Sequence, residues 1–113
     1  MKVSNLQAVS FVNAVNAMKG KRLPVKMIFA IRHNYNEIMN SQVKAYEEAR
    51  MTLEKDEKEE ETYAKELRSL LDEEVDHKLK TINISELEKL DEDTSCDKLT
   101  IGEVEALSIM LKE

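Results

Sequence analysis

Turn-forming residues are almost absent from this chain: its 113 residues include two Gly and one Pro. Chains reverse direction mostly at such residues, so few reversals are possible and the segments between them must be long. Long, uninterrupted segments of this composition are helices. One small domain, residues 1–113, is the expected organisation, because the length is too short for two.

The amino end fits. Ser4 or Asn5 can cap a helix by accepting orphan amide protons. From Leu6 to Met18 the polar residues Gln7, Ser10, Asn13 and Asn16 fall every third position, and nearly everything else is apolar. The spacing predicts a helix buried on more than one side, closed by Gly20 in a left-handed conformation. "GKRLP" connects to a second helix that Pro24 suits, since the first turn needs no amide hydrogen there. Ile28, Ile31, Tyr35, Ile38, Gln42, Ala45 and Ala49 alternate steps of three and four, a heptad-like seam. This central helix is expected over 24 to about 55, roughly 48 Å at 1.5 Å per residue.

Residues 54 to 62 carry no apolar side chain, and the apolar spacing resumes at Tyr63, Leu67, Leu70, Leu71 and Val75. Either one helix of about fifty residues, roughly 75 Å long, runs through, or the chain makes a hairpin with its turn inside 54–62. The interrupted seam favours the hairpin. The first helix then covers the amino half of the central one and the third covers its carboxyl half. The expected fold is mainly α: a helical hairpin or three-helix bundle with a long central helix, its core about 4–75. A short strand or arm and a C-terminal helix follow in 76–113.

In that last region "HKLKTINIS" has the β-branched content of a strand or extended arm. No second strong strand is visible, so 78–84 either pairs with its copy in a dimer or packs as an arm. Ser85 and Glu88 have capping-box spacing, as do Thr100 and Glu103. Ile101, Val104, Leu107, Met110 and Leu111 form the apolar face of the last helix.

Charge is distributed unevenly. Residues 1–50 hold eight Lys or Arg against three acids, and residues 51–113 hold nine against twenty, for a net charge of −6. The halves either attract each other in the fold or one of them meets a charged partner. Two acidic groups are candidates for contact with a basic partner: Glu57, Glu59, Glu60, Glu61, Asp72, Glu73, Glu74 and Asp76, and further on Asp91, Glu92 and Asp93. A basic patch at Lys19, Lys21, Arg22, Lys26 and Arg32 is the candidate for phosphates or an acidic counterpart.

Enzyme chemistry has little to stand on. No Gly-rich phosphate loop can be built from Gly20 and Gly102. "DEDTSCDKLTIGE" offers alternating Asp91, Asp93, Ser95 and Asp97, but a calcium loop needs Gly at its sixth position and Glu at its twelfth, where Cys96 and Gly102 stand. His33, His77 and the single Cys96 do not make a zinc set by spacing. No catalytic residue, cofactor or metal is expected, and the expected class is non-enzymatic. The lone cysteine and the amino end "MKVSNLQAVSF", which reads without a signal peptide, suit a cytoplasmic protein. No run of eighteen apolar residues occurs, so no membrane association is expected.

The segments "KRLPVKMIFAIRHNYNEI", "KAYEEAR", "ELRSLLDEEVDHKLKTINISELEKL" and "LTIGEVEALSIMLKE" resemble a family of small uncharacterised proteins of phages and prophages of Gram-positive bacteria. The family's tail commonly opens Leu-Thr-Pro before an acidic helix, and here Ile101 replaces the Pro. The resemblance implies a compact helical fold and a phage origin, hence the cytoplasm of a bacterial host. It carries no catalytic residues, since the family has no established activity. Together these features give the expectation of a non-enzymatic protein-binding module. One form is an anti-CRISPR-like inhibitor whose acids occupy the channel of a host nuclease or other nucleic-acid-binding protein. The alternatives are a self-associating assembly accessory, with a homodimer, and a small DNA-binding regulator, though direct nucleic-acid contact is disfavoured by the acidic balance.

Overall fold

The computed structural model describes residues 1–56 and 59–113, with Asp91 described by its backbone alone. A short strand, β1 (Lys2–Ser4), leads into helix α1 (Asn5–Ala17). Ser4 is the cap: its Oγ accepts from the Gln7 amide at 3.1 Å, and Gln7 Oε1 accepts from the Ser4 amide at 2.9 Å. Reciprocal satisfaction of this kind removes two orphan groups from the helix start. The polar stripe Gln7, Ser10, Asn13, Asn16 faces outward, while Ala8, Phe11 and Val12 are buried. The other end of α1 differs from expectation. It closes by tightening, with the Met18 amide shared between the Ala14 and Val15 carbonyls, so Gly20 does not take the left-handed conformation.

Pro24 stands just before α2 (Val25–Ile38). A π-helical turn (Met39–Val43) and α3 (Lys44–Lys55) continue it, giving a joined helix of 31 residues. In the π turn the Lys44 amide reaches back to the Met39 carbonyl, five residues away. One residue is thereby inserted into the α-helical count, and a regular heptad seam cannot survive it. The buried stripe runs Met27, Ile31, Asn34 and Ile38, then takes both Gln42 and Val43 before Tyr46. Two residues of the predicted seam, Ile28 and Ala45, are exposed.

Helix α3 closes at Asp56, and α4 (Glu60–Asp72) folds back against it, so the chain forms the hairpin. Part of the turn, Glu57 and Lys58, lies outside the described residues. The pairing is thin. No side chain of α4 is buried, and Ala49, Leu53, Tyr63, Leu67, Leu70 and Leu71 are only half-buried. Two helices alone cannot cover each other's apolar stripes. The hairpin therefore extends as an arm beyond the core, and the molecule measures 52 × 24 × 22 Å.

The core lies around α1. Phe11, Ile38, Leu107 and Met110 are among the largest fully buried side chains. The carboxyl-terminal third contributes β2 (Glu74–Asp76), β3 (Ile82–Asn83), α5 (Ile84–Glu88), α6 (Ile101–Leu107) and β4 (Leu111–Lys112). Both strand pairings are internal. β1 pairs antiparallel with β2, Val3 opposite Val75, and β3 pairs parallel with β4, Ile82 opposite Leu111. The expected strand thus finds its partner in the last residues of the same chain. That partner is two residues long, below the length at which alternation becomes visible. Two other expectations need correction. Asn83 rather than Ser85 precedes α5, with no side-chain cap. Ile101 is 82% exposed and Val104 partly so, leaving Leu107, Ile109 and Met110 to bury the last helix. The Thr100–Glu103 capping box is present.

Among the described residues four polar side chains, Asn5, Asn34, Gln42 and His77, are buried, and they fix how the elements meet. Gln42 Nε2 donates to the Val3 carbonyl at 2.9 Å and to Asn5 Oδ1 at 3.0 Å. Asn5 Nδ2 donates to the Leu70 carbonyl at 2.7 Å. His77 Nε2 lies 2.8 Å from Gln42 Oε1. Both Gln42 amide protons are already committed, so His77 Nε2 must carry the proton in that bond. Separately, Asn34 pairs with Lys80 as one peptide pairs with another: Nδ2 donates to the Lys80 carbonyl and Oδ1 accepts from the Lys80 amide, both at 2.8 Å. This clamps the 78–81 arm to α2. No buried side-chain nitrogen or oxygen among the described residues lacks a partner.

Candidate protein-interaction surface

The acidic residues are distributed over three separate places. Glu59, Glu60 and Glu61 stand exposed at the start of α4, where their charge suits the positive end of the helix dipole. Asp72, Glu73 and Glu74 are exposed at its other end. Asp76 beside them accepts from the Met1 amino group at 2.8 Å, and that bond and charge hold its carboxyl below the usual aspartate range. Glu92 and Asp93 are exposed beyond α5. Asp93 Oδ1 accepts from the Ser95 hydroxyl at 2.6 Å and from its amide at 2.9 Å, which lowers its proton affinity. The backbone of Asp91 continues the same turn, and Glu57 lies outside the described residues. Glu54, beside the first group, bonds Arg50 at 3.1 Å.

The basic patch is partly neutralised from within. Lys21 Nζ donates to Glu103 Oε1 and to the Lys98 carbonyl, both at 2.7 Å. The Lys21 bond, followed by the Thr100 amide, holds the Glu103 carboxyl below its ordinary value. Arg22 is joined through its backbone: its amide donates to Asp97 Oδ2 at 2.7 Å, and its carbonyl accepts from the Asp97 amide at 2.8 Å. Lys26 approaches Glu86 at 3.3 Å on the surface, a weak pairing at that exposure. So the basic first turn and the acidic tail do attract each other in the fold. Lys19 and Arg32 are exposed and, like the Arg22 guanidinium, have no ion-pair partner among the described residues.

Lys19 and Arg32 flank a groove of about 350 Å³ between the end of α1 and the first half of α2. Val15, Met18, Leu23, Ile31 and Tyr35 supply its apolar wall. Tyr35 Oη donates to Asn16 Oδ1 at 3.1 Å and ties the two helices together there. Ile28 also lines the groove, and it and its neighbours Val25 and Phe29 are exposed to 43%, 67% and 62%. At 3.6 residues per turn they share one side of α2 with Arg32. The heptad spacing puts Ile28 in a seam and gives Val25 and Phe29 no place in it. Their pattern was visible as apolar residues in excess of one helix stripe, but only packing shows which excess is left uncovered. Among the described residues no three His, Cys, Asp or Glu side chains converge as metal ligands, and no helix is long and apolar enough to cross a membrane. Comparison with known proteins finds no match to a family model, a curated protein or a solved structure.

Proposed function

We propose that this chain is a non-enzymatic protein-binding module of phage origin. The observation that carries the reading is the uncovered apolar row Val25, Ile28, Phe29 beside the α1–α2 groove. Large apolar side chains on a helix surface, contiguous with an apolar groove, are the usual mark of a contact for another macromolecule. The phage origin rests on the sequence resemblance. The test is capture from a bacterial host with the intact chain and with Phe29→Asp. The variant should keep its helical circular dichroism and lose the partner. A partner retained equally by both would refute this surface.

A second reading is inhibition of a defence nuclease through the acids. It is favoured by the exposure of Glu59, Glu60 and Glu61 toward the end of the hairpin arm, with Asp72, Glu73 and Glu74 exposed on the same hairpin. Binding of that kind weakens with salt and fails when these acids are reversed to Lys. The reading is abandoned if a Glu59→Lys, Glu60→Lys, Glu61→Lys variant inhibits as well as the parent. Self-association and DNA regulation remain the alternatives. A sedimentation measurement decides the first, and duplex binding by the Lys19 and Arg32 region decides the second.

A further inference from the structure

We infer that the groove between α1 and α2 docks an acidic amphipathic helix of a partner protein. The inference rests on the reading of the chain as a protein-binding module and specifies the partner of that surface. Residues of α1, α2 and the turn between them line the groove and no strand residue does, so it offers a helix a ridge-lined seat and offers an incoming strand no edge. Val25, Ile28 and Phe29 extend the apolar area along one side of α2.

Charge selects the partner. The first acid in the chain is Glu37, so α1 and most of α2 contain none. Of the acids that reach this end from elsewhere, Glu103 is held by Lys21, Glu86 by Lys26 and Asp97 by the Arg22 amide. Lys19 and Arg32 remain uncommitted at the groove, with His33 exposed on the next position of α2. A helix with carboxylates flanking its apolar row would neutralise them. A second copy of this chain docked symmetrically through the same face would set Lys19 and Arg32 against their own counterparts, a repulsive arrangement. Nucleic acid would use the cations but leave Val25 and Ile28 without a role.

The probe is a fluorescein-labelled, helix-stabilised peptide of about 15 residues, with Leu at helical spacing and Glu elsewhere. It is compared with twins carrying Lys or Gln in place of Glu, and with a single-stranded oligonucleotide, all against the intact chain. The Glu peptide should bind, more weakly as salt rises. Arg32→Glu should weaken it by about tenfold or more, and Phe29→Ser should also weaken it, while Lys78→Glu, an exposed change in the arm that follows β2, should not. Amide shifts should gather at Leu23, Ile28 and Arg32. Equal binding of the Lys or Gln twin, tighter binding of the oligonucleotide, shifts confined to other surfaces, or no peptide binding would each overturn the inference. The Gln outcome would spare the module reading, which the host-capture experiment decides independently.

Discussion

Replacing Gln42 with Leu tests whether the buried polar network, rather than apolar packing alone, holds the amino end of the chain onto the π turn. Leu has similar bulk, so little cavity is created. What is lost is three hydrogen bonds: Gln42 to Val3, Gln42 to Asn5 and His77 to Gln42. Asn5 Oδ1 and His77 Nε2–H are left facing an apolar side chain where Gln42 was 2% exposed, while the Val3 carbonyl keeps its place in the ladder opposite Val75. A stranded buried group costs about 1–3 kcal/mol. Allowing for some relaxation and the apolar gain from Leu, the net loss should be about 2–4 kcal/mol, a large part of the roughly 5–15 kcal/mol available to a domain. Urea unfolding followed by circular dichroism reads it directly: with a slope of about 1.5 kcal/mol/M the midpoint should fall by roughly 2 M. Adding His77→Phe removes the stranded ring donor, so the double variant should lose less than the sum of the two single losses, by at least about 0.5 kcal/mol. A midpoint for Gln42→Leu that stays put or rises would refute the reasoning, because it would mean that burial alone specifies this junction.

Other predictions follow from the same contacts. Asn34→Ala removes both bonds to Lys80 and should cost about 2 kcal/mol, with hydrogen exchange at the Lys80 amide accelerating far more than at Phe11; equal protection in both proteins would argue against the clamp. The Glu103 carboxyl is lowered from its ordinary value of 4.5 chiefly by the Lys21 hydrogen bond. The folded state therefore binds that proton less tightly than the unfolded state, so the contribution is present above pH 4.5 and is lost as pH falls through the lowered value. Lys21→Met should flatten this acid limb of a stability–pH curve and cost about 1–2 kcal/mol at neutral pH, whereas an unchanged limb would show that the pair is not coupled to folding. The hairpin arm, whose α4 buries no side chain, should exchange its amides through local opening well below the global free energy; protection of α4 equal to that of α1 would contradict this.

The long helices, the hairpin as the favoured of two arrangements, a cap at Ser4 or Asn5 and the capping box at Thr100 were legible in the residues, while the attraction of the basic turn and the acidic tail was one of two readings of the charge. These are local or near-local matters: absence of breakers, spacing, and oxygen side chains before an apolar run. The candidate charged residues were legible as types, but their grouping was not, since it depends on which of them find partners across the fold. Lys21 and Lys26 meet acids that lie far away in sequence, and nothing in the local pattern distinguishes them from Lys19 or Arg32.

The sequence by itself determined that this chain is mainly helical, because periodicity and the shortage of Gly and Pro act over a few residues at a time; it favoured the hairpin over one continuous helix, and the packing of α4 on α3 chose it. Only the tertiary structure decided that Asn5, Asn34, Gln42 and His77 lie inside, that two-residue and three-residue strands pair across the length of the chain, and that Val25, Ile28 and Phe29 remain outside. A buried amide and a surface amide are the same residue type. What separates them is whether a carbonyl such as that of Lys80 arrives opposite to satisfy the group, and that is settled by the meeting of elements that are distant in sequence.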